Sequence, residues 1–301
     1  MEVRGATVRC MTRLTGQKFF DEFKLSITKA LADQLAEMLV PLKPRPLTEA
    51  AISKLDPRPG VYLLWHQNRR VYVGKAQESL PLRLRKHRKK LSGRDNLDIG
   101  DVAFVCLYVD EDLDAAAPEK LLIKKYQGEG GSDAVPWNTN GFGNNDPGRN
   151  RDRSKIESNH FDAHHPIRLA FDGLNIEPSE TTVGALLEEI KEQLPYNIRF
   201  DKSSNSQRAY ATKLEITAHL TSVEQVINLI VRSLPERWQA TALPGYLILY
   251  PEQVVYPSAL KWWRRRGNDV EETPHAMLLA PSGGPHGLAE DGPITEEEED
   301  R

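Results

Sequence analysis

GVYLLWHQNRRVYVGKA, residues 60–76, is the stretch on which the fold turns. Two runs rich in Val, Leu and Tyr flank Gln67-Asn68, a polar pair suited to a tight turn. They predict two adjacent strands. Each carries a tyrosine close to a glycine, in Gly60-Val61-Tyr62 and Tyr72-Val73-Gly74.

Downstream, LPLRLRKHRKKL reads as a basic helix, DVAFVCLYVD as a third strand and PEKLLIKKYQG as a second helix. Pro118 suits the first turn of that helix. The order β-β-α-β-α describes a small mixed α/β unit. Upstream, Phe20, Phe23, Ile27, Leu31, Leu35, Met38 and Leu39 recur at helical spacing before Pro41 and a proline-rich connection. Residues 128–153 are too dense in Gly, Asn and Pro for a regular element; a loop this long is functional or disordered, and its tryptophan and phenylalanine argue against plain disorder.

From Pro166 the pattern repeats at a spacing of forty residues. A helix from Thr182-Val183 carries Leu186, Leu187 and Ile190 and ends at Leu194-Pro195; another from Ser222-Val223 carries Val226, Ile227 and Ile230 and ends at Leu234-Pro235. IRLAFDG and KLEITAHL precede the two helices as strands, and YNIRFD and GYLILY follow them. The expected fold is therefore α/β (α+β): a small domain with a central mixed or antiparallel sheet flanked by helices, then a C-terminal βαβ-repeat sandwich. The boundaries read as a helical extension at 1–45, a first domain at 46–156, a linker at 157–165, a second domain at 166–256 and a disordered acidic tail at 257–301. His160, His164 and His165 fall in that linker, where they are read as linker residues and not as a metal site. Trp262-Trp263-Arg264-Arg265-Arg266 can touch nucleic acid or dock on the body.

The composition is that of a globular protein, with 39% hydrophobic and 28% charged residues in 301, enough for two modest cores. The net charge of −3 conceals an uneven distribution. Between Arg69 and Lys90 stand Arg69, Arg70, Lys75, Arg83, Arg85, Lys86, Arg88, Lys89 and Lys90 against Glu78 alone, a window that favours a polyanion or forms a solvated helix face. Cys10 and Cys106 match neither a disulfide framework nor zinc spacing. With no signal-like start and no apolar run of membrane-spanning length, an intracellular, cytoplasmic protein is expected.

Arg83 and His87 lie four apart and share a helix face, and Glu119 falls in the first turn of the next helix. Phosphodiester hydrolysis needs a base for water, positive charge on the phosphorane and help for the leaving oxygen. A tyrosine serves as base only where neighbours relieve it of its proton. An arginine fork matches phosphate oxygens, and one carboxylate can hold a magnesium-type ion that keeps most of its waters.

GVY, nine residues, YVG, an Arg-rich helix, a later Glu and then an Asn together resemble the GIY-YIG nucleases. WNTNGFGNNDPGRNRD is similar to the segment that closes the nuclease domain in the Eco29kI subfamily of type II restriction enzymes, so the resemblance spans roughly residues 15–155. It implies Tyr62 as general base with His87 as its partner, Tyr72 orienting water or substrate, and Arg83 on the scissile phosphate with Lys75 adding charge. It also implies Glu119 as sole protein ligand of one Mg2+ or Mn2+ ion, and Asn138, with Asn140 as its rival, holding the loop through backbone hydrogen bonds. Arg149, Arg151 and Arg153 are candidate DNA contacts.

The expected activity is site-specific cleavage of double-stranded DNA, by a homodimer on a palindrome and with a DNA methyltransferase encoded nearby. The alternatives are a repair-type nicking nuclease, since YVGKA matches the incision subunit of nucleotide excision repair, and a catalytically inactive DNA-binding protein. Singly, each residue has a plain structural reading: packing for the tyrosines, a solvated face for Arg83 and His87, and complementing the helix dipole for Glu119.

Overall fold

The computed structural model describes residues 26–109, 118–131, 134–143 and 148–273. Helix α1 (Ile27–Leu39) is capped by the Ser26 side chain. The earlier part of the expected helix, at Phe20 and Phe23, lies outside the described residues, as do Cys10 and the acidic end of the chain. Strand β1 (Arg45–Pro46) and a one-turn helix α2 (Glu49–Ile52) lead to β2 (Gly60–His66) and β3 (Arg69–Ala76). Gln67 and Asn68, at φ 49° and 61°, turn the chain between β2 and β3. Positive φ at both positions matches the right-handed twist of the strands they join. Helix α3 (Leu80–Ser92), strand β4 (Val102–Tyr108) and helix α4 (Pro118–Gly130) follow, in the β-β-α-β-α order that the sequence predicts.

The first sheet is antiparallel, in the order β1-β4-β2-β3. Alternation along its strands gives it two apolar faces. Val61, Leu63, Val73 and Val105 pack on α1 and α4 through Leu35, Leu39, Leu122 and Tyr126. Tyr62, Leu64 and Tyr72 point the other way, towards Leu80, Leu84 and Leu91 of α3 and the aromatic cluster Trp137, Phe142 and Phe161.

Residues 157–165, expected as a linker, hold a helical turn, α5 (Phe161–His164), and Phe161 is fully buried in that cluster. A ring of this size needs a core, and the first sheet supplies it.

The C-terminal half is mixed. Strands β5 (Ser179–Thr182) and β7 (Lys213–Ile216) form a two-stranded sheet. Helix α6 (Val183–Gln193), strand β6 (Ile198–Phe200), helix α7 (Ser204–Tyr210), helix α8 (Val223–Ser233), and strands β8 (Gln239–Ala242), β9 (Leu247–Tyr250), β10 (Lys261–Arg266) and β11 (Asp269–Glu272) complete it. Their five-stranded sheet runs β11-β10-β8-β9-β6, with β6 and β9 parallel and the other pairs antiparallel. This departs from two βαβ units. IRLAFDG forms no strand beyond a bridge of Ile167 to Arg94, and its Ile167 and Leu169 are buried in the core of the C-terminal half.

The start of the expected tail is also structured. Lys261–Arg266 pairs with β8, and Trp263 is fully buried. The Trp-Arg cluster thus docks on the body.

The two halves share a seam. Arg168 N donates to Gly93 O and Asp95 N to Pro166 O across it, and Ile167 N bonds Pro244 O on its C-terminal side. At its centre Arg94, 2% exposed, donates to Asp162 Oδ1 (2.8 Å), His165 O (3.1 Å) and Pro244 O (3.2 Å). Among the described residues no helix is long and apolar enough to cross a membrane.

Candidate active site

In α3, Leu80, Leu84, His87 and Leu91 form one buried stripe, so His87 occupies a core position within a basic helix. It is 5% exposed, against the solvated placement usual for such a residue. Its Nε2 lies 2.6 Å from the hydroxyl of Tyr62, itself fully buried. Arg83, one turn earlier, directs its Nε to the same hydroxyl at 3.4 Å. Tyr72, diagonal to Tyr62 across the β2–β3 pair, places its ring centroid 6.1 Å from that of Tyr62 and 5.6 Å from that of His87. The sheet and one helix thus bring Tyr62, Tyr72, Arg83 and His87 together.

The electrostatics follow from this packing. Burial drives the His87 imidazole well below its ordinary pKa, and the nearby cations Arg83 and Lys90 push it further. A neutral imidazole facing a phenol accepts its hydrogen bond.

Beside the cluster opens a cleft of about 310 Å³, lined by Lys75, Gln77, Ser79, Arg83, Lys86 and Lys89 among others. Its positive wall suits phosphate oxygens. The cleft joins Lys75 and Arg83 in one surface.

Asn138 sits in a 3-10 turn (Pro136–Asn138) and pairs with the backbone of Val73, its Oδ1 accepting from Val73 N at 2.9 Å and its Nδ2 donating to Val73 O at 2.8 Å. Those bonds tie the loop to the strand between Tyr72 and Gly74. Asn140, its rival, has a buried Oδ1 with no hydrogen-bond partner among the described residues. Glu119 stands half-buried in the first turn of α4, the helix packed beneath Val61, Leu63 and Val73. No cluster of three or more His, Cys, Asp or Glu suited to a metal occurs among the described residues. A carboxylate with partial solvent access fits a hard cation that keeps its waters and takes phosphate oxygens, and does not by itself make an all-protein cage.

The arginines of the 3-10 helix Gly148–Arg153 carry acidic partners, and Arg149 and Arg151 lie over the rings of Tyr250 and Tyr246. Arg151 bonds Asp162 Oδ2 at 2.9 Å and His160 Nε2 at 3.1 Å. Arg149 and Arg153 reach Glu252 at 3.2 and 3.8 Å, yet 53% and 69% of their side chains stay exposed.

Two site neighbours were not foreseen from sequence, Phe142 and Lys90. Phe142 stacks on His87 with ring centroids 5.2 Å apart and 26° between planes. The signal was Gly141-Phe142-Gly143, an aromatic between glycines in a loop. Gly141 adopts φ +88°, and a Cβ there would stand 2.1 Å from His160 Nε2. Only glycine lets the chain turn there to present Phe142.

Residues 65–194 match the family described as the Eco29kI GIY-YIG domain. No curated protein matches the chain. The matched segment contains Tyr72, Lys75, Arg83, His87, Glu119 and Asn138 and starts three residues after Tyr62. It also runs past residue 155, through α5 and the seam to the end of α6.

Proposed function

We propose, from the match of residues 65–194 to the Eco29kI GIY-YIG domain, that the protein is a type II restriction endonuclease cutting both strands of a defined DNA site. The observation that carries the mechanism is the 2.6 Å contact between Tyr62 and His87 in a buried setting beside a cationic cleft. His87, held neutral, accepts the phenolic proton at Nε2. The Tyr62 phenolate then takes a proton from the attacking water, with Tyr72 orienting that water or the substrate. Arg83 and Lys75 face the scissile phosphate and balance the charge that builds on its oxygens. Glu119 is the proposed ligand of one Mg2+ or Mn2+ ion, which when bound polarises the phosphate and assists the leaving oxygen. Asn138 keeps the loop seated on β3.

One active site per chain fits a homodimer on a palindromic site, with a DNA methyltransferase as the companion activity. Arg149 and Arg153, still largely exposed, are proposed to touch DNA from the seam side; Arg151 serves the buried acid Asp162.

The test is plasmid DNA with purified protein and magnesium, wild type beside Glu119→Ala, with product ends sequenced. Discrete fragments that share one short palindrome and vanish in the variant support the proposal. Scattered nicks point to a repair-type nuclease instead, and binding without cleavage overturns the endonuclease reading.

A further inference from the structure

Lys90 lies one turn beyond His87 on α3, and its ammonium donates to the carbonyl oxygen of Phe142 at 2.6 Å. The same Nζ sits 4.9 Å from the centroid of the Phe142 ring. The far side of the local arrangement is aromatic as well: Phe142 packs against Tyr72 at 5.0 Å and Trp137 at 4.9 Å. Phe142 is 1% exposed and lies against the His87 imidazole. The loop therefore reaches the imidazole through one stacked ring, and a cation from the imidazole's own helix holds the carbonyl of that ring's residue.

We propose that Lys90 is a positioning residue for the Tyr62–His87 pair, seating Phe142 against the imidazole through its bond to the Phe142 carbonyl and keeping a fixed positive charge beside the ring. This rests on the nuclease reading of Tyr62 and His87 given above. The seat leaves His87 one orientation, with Nε2 on the phenol. The charge opposes protonation of that nitrogen, which must stay free to take the Tyr62 proton.

Charged and aromatic groups surround His87 among the described residues. On α3 they are Arg83 and Lys90, both of which disfavour its charged form, on β2 Tyr62 and on β3 Tyr72; the loop presents the uncharged Phe142. His160, which caps α5, and Asp162 within it also feel Lys90, but Asp162 is engaged by Arg94 and Arg151. An ordinary core lysine would seat the loop and nothing more. The positioning role differs in that the charge at position 90 sets the pH at which His87 is lost as an acceptor.

The experiment is proton–carbon NMR titration of the histidine rings in the full chain, with His87 assigned by its absence in His87→Gln. Wild type, Lys90→Met and Lys90→Arg are compared, each first checked for cooperative unfolding. The expected result is a His87 midpoint at higher pH in Lys90→Met and one unmoved from wild type in Lys90→Arg. An unmoved midpoint in folded Lys90→Met overturns the proposal. If Lys90→Met does not fold, Lys90→Gln takes its place, with the same two outcomes.

Plasmid cleavage from about pH 6 to about pH 9 is then read beside it. Loss of kcat/KM in Lys90→Met confined to the acidic end, and restored by Lys90→Arg, supports the role in catalysis. A moved midpoint with no change in the acidic limb leaves the Lys90–His87 coupling standing and counts against His87 as the proton acceptor. The two failures are thereby separable.

Discussion

Gly74 stands directly across the β2–β3 pair from Tyr62, and a Cβ at Gly74 would lie 2.2 Å from the Tyr62 hydroxyl oxygen. The phenol crosses the neighbouring strand through the space that a side chain would take, and reaches His87 because nothing is there.

Gly74→Ala should therefore act on Tyr62. The methyl group displaces the phenol, the 2.6 Å contact to His87 is lost, and cleavage falls by about a hundredfold or more. Stability should fall by only about 1–3 kcal/mol, the usual cost of overpacking. Plasmid cleavage set beside thermal unfolding separates the two; a fully active, folded variant would remove the argument for Tyr62 as base.

Tyr62→Phe keeps the ring and deletes the hydroxyl. Cleavage should drop by about 10²–10⁴ while the fold persists, since the aromatic contacts with Tyr72 and His87 survive. The cost to stability should be about 1–3 kcal/mol, from a buried His87 nitrogen left without its partner. Circular dichroism and single-turnover cleavage check both statements.

Asn138→Ala and Asn140→Ala should separate cleanly. Asn138 makes both of its bonds to Val73, so its loss leaves that peptide unpaired and frees the loop, at about 1–3 kcal/mol and with a lower kcat. Asn140 spends no side-chain acceptor on the strand, and its replacement should cost less in both measures. Equal losses would show that the Val73 pairing is not what fixes the site.

Asp162→Asn should be the most damaging change away from the tyrosines. It strips the carboxylate from Arg94, whose side chain is 3% exposed, and such a buried, uncompensated cation costs about 3–5 kcal/mol. Burial acts against the ionised Asp162, but Arg94, Lys90 and Arg151 outweigh it and hold its pKa below the ordinary value. A carboxylate lowered by folding stabilises the protein above its unfolded pKa, near ~3.9, and that contribution is lost as pH falls through the folded value. Urea unfolding at about pH 7 and about pH 3 should show a wild-type advantage over Asp162→Asn that shrinks at the acid end.

The hairpin was legible because its signals are local: alternating apolar residues and a two-residue turn suffice to place Tyr62 and Tyr72 on adjacent strands. The stripe containing His87 was legible as helix, but its burial was not, since the basic residues around it dominate the composition. Phe161 and the 261–266 strand were misread for a related reason. Polar neighbours such as His160, His164 and Arg264–Arg266 give a segment the look of a linker or tail, while one large ring, Phe161 or Trp263, fixes it to a core assembled from distant sequence. Lys90 and Phe142 meet only because the loop folds back across α3, a contact of 52 residues' separation that no local pattern encodes.

The Arg94 seam bears on how the proposed enzyme can be re-engineered. A chimaera that keeps the first 165 residues and grafts on a new recognition module would inherit a guanidinium that has lost its acceptor at Pro244, and a helix end that has lost its cover at Pro195. The apparent joint is not a hinge between interchangeable parts. Under the proposed function, exchange of DNA targets should proceed by resurfacing loops on an intact chain, with the Arg94–Asp162–Pro244 contact left in place.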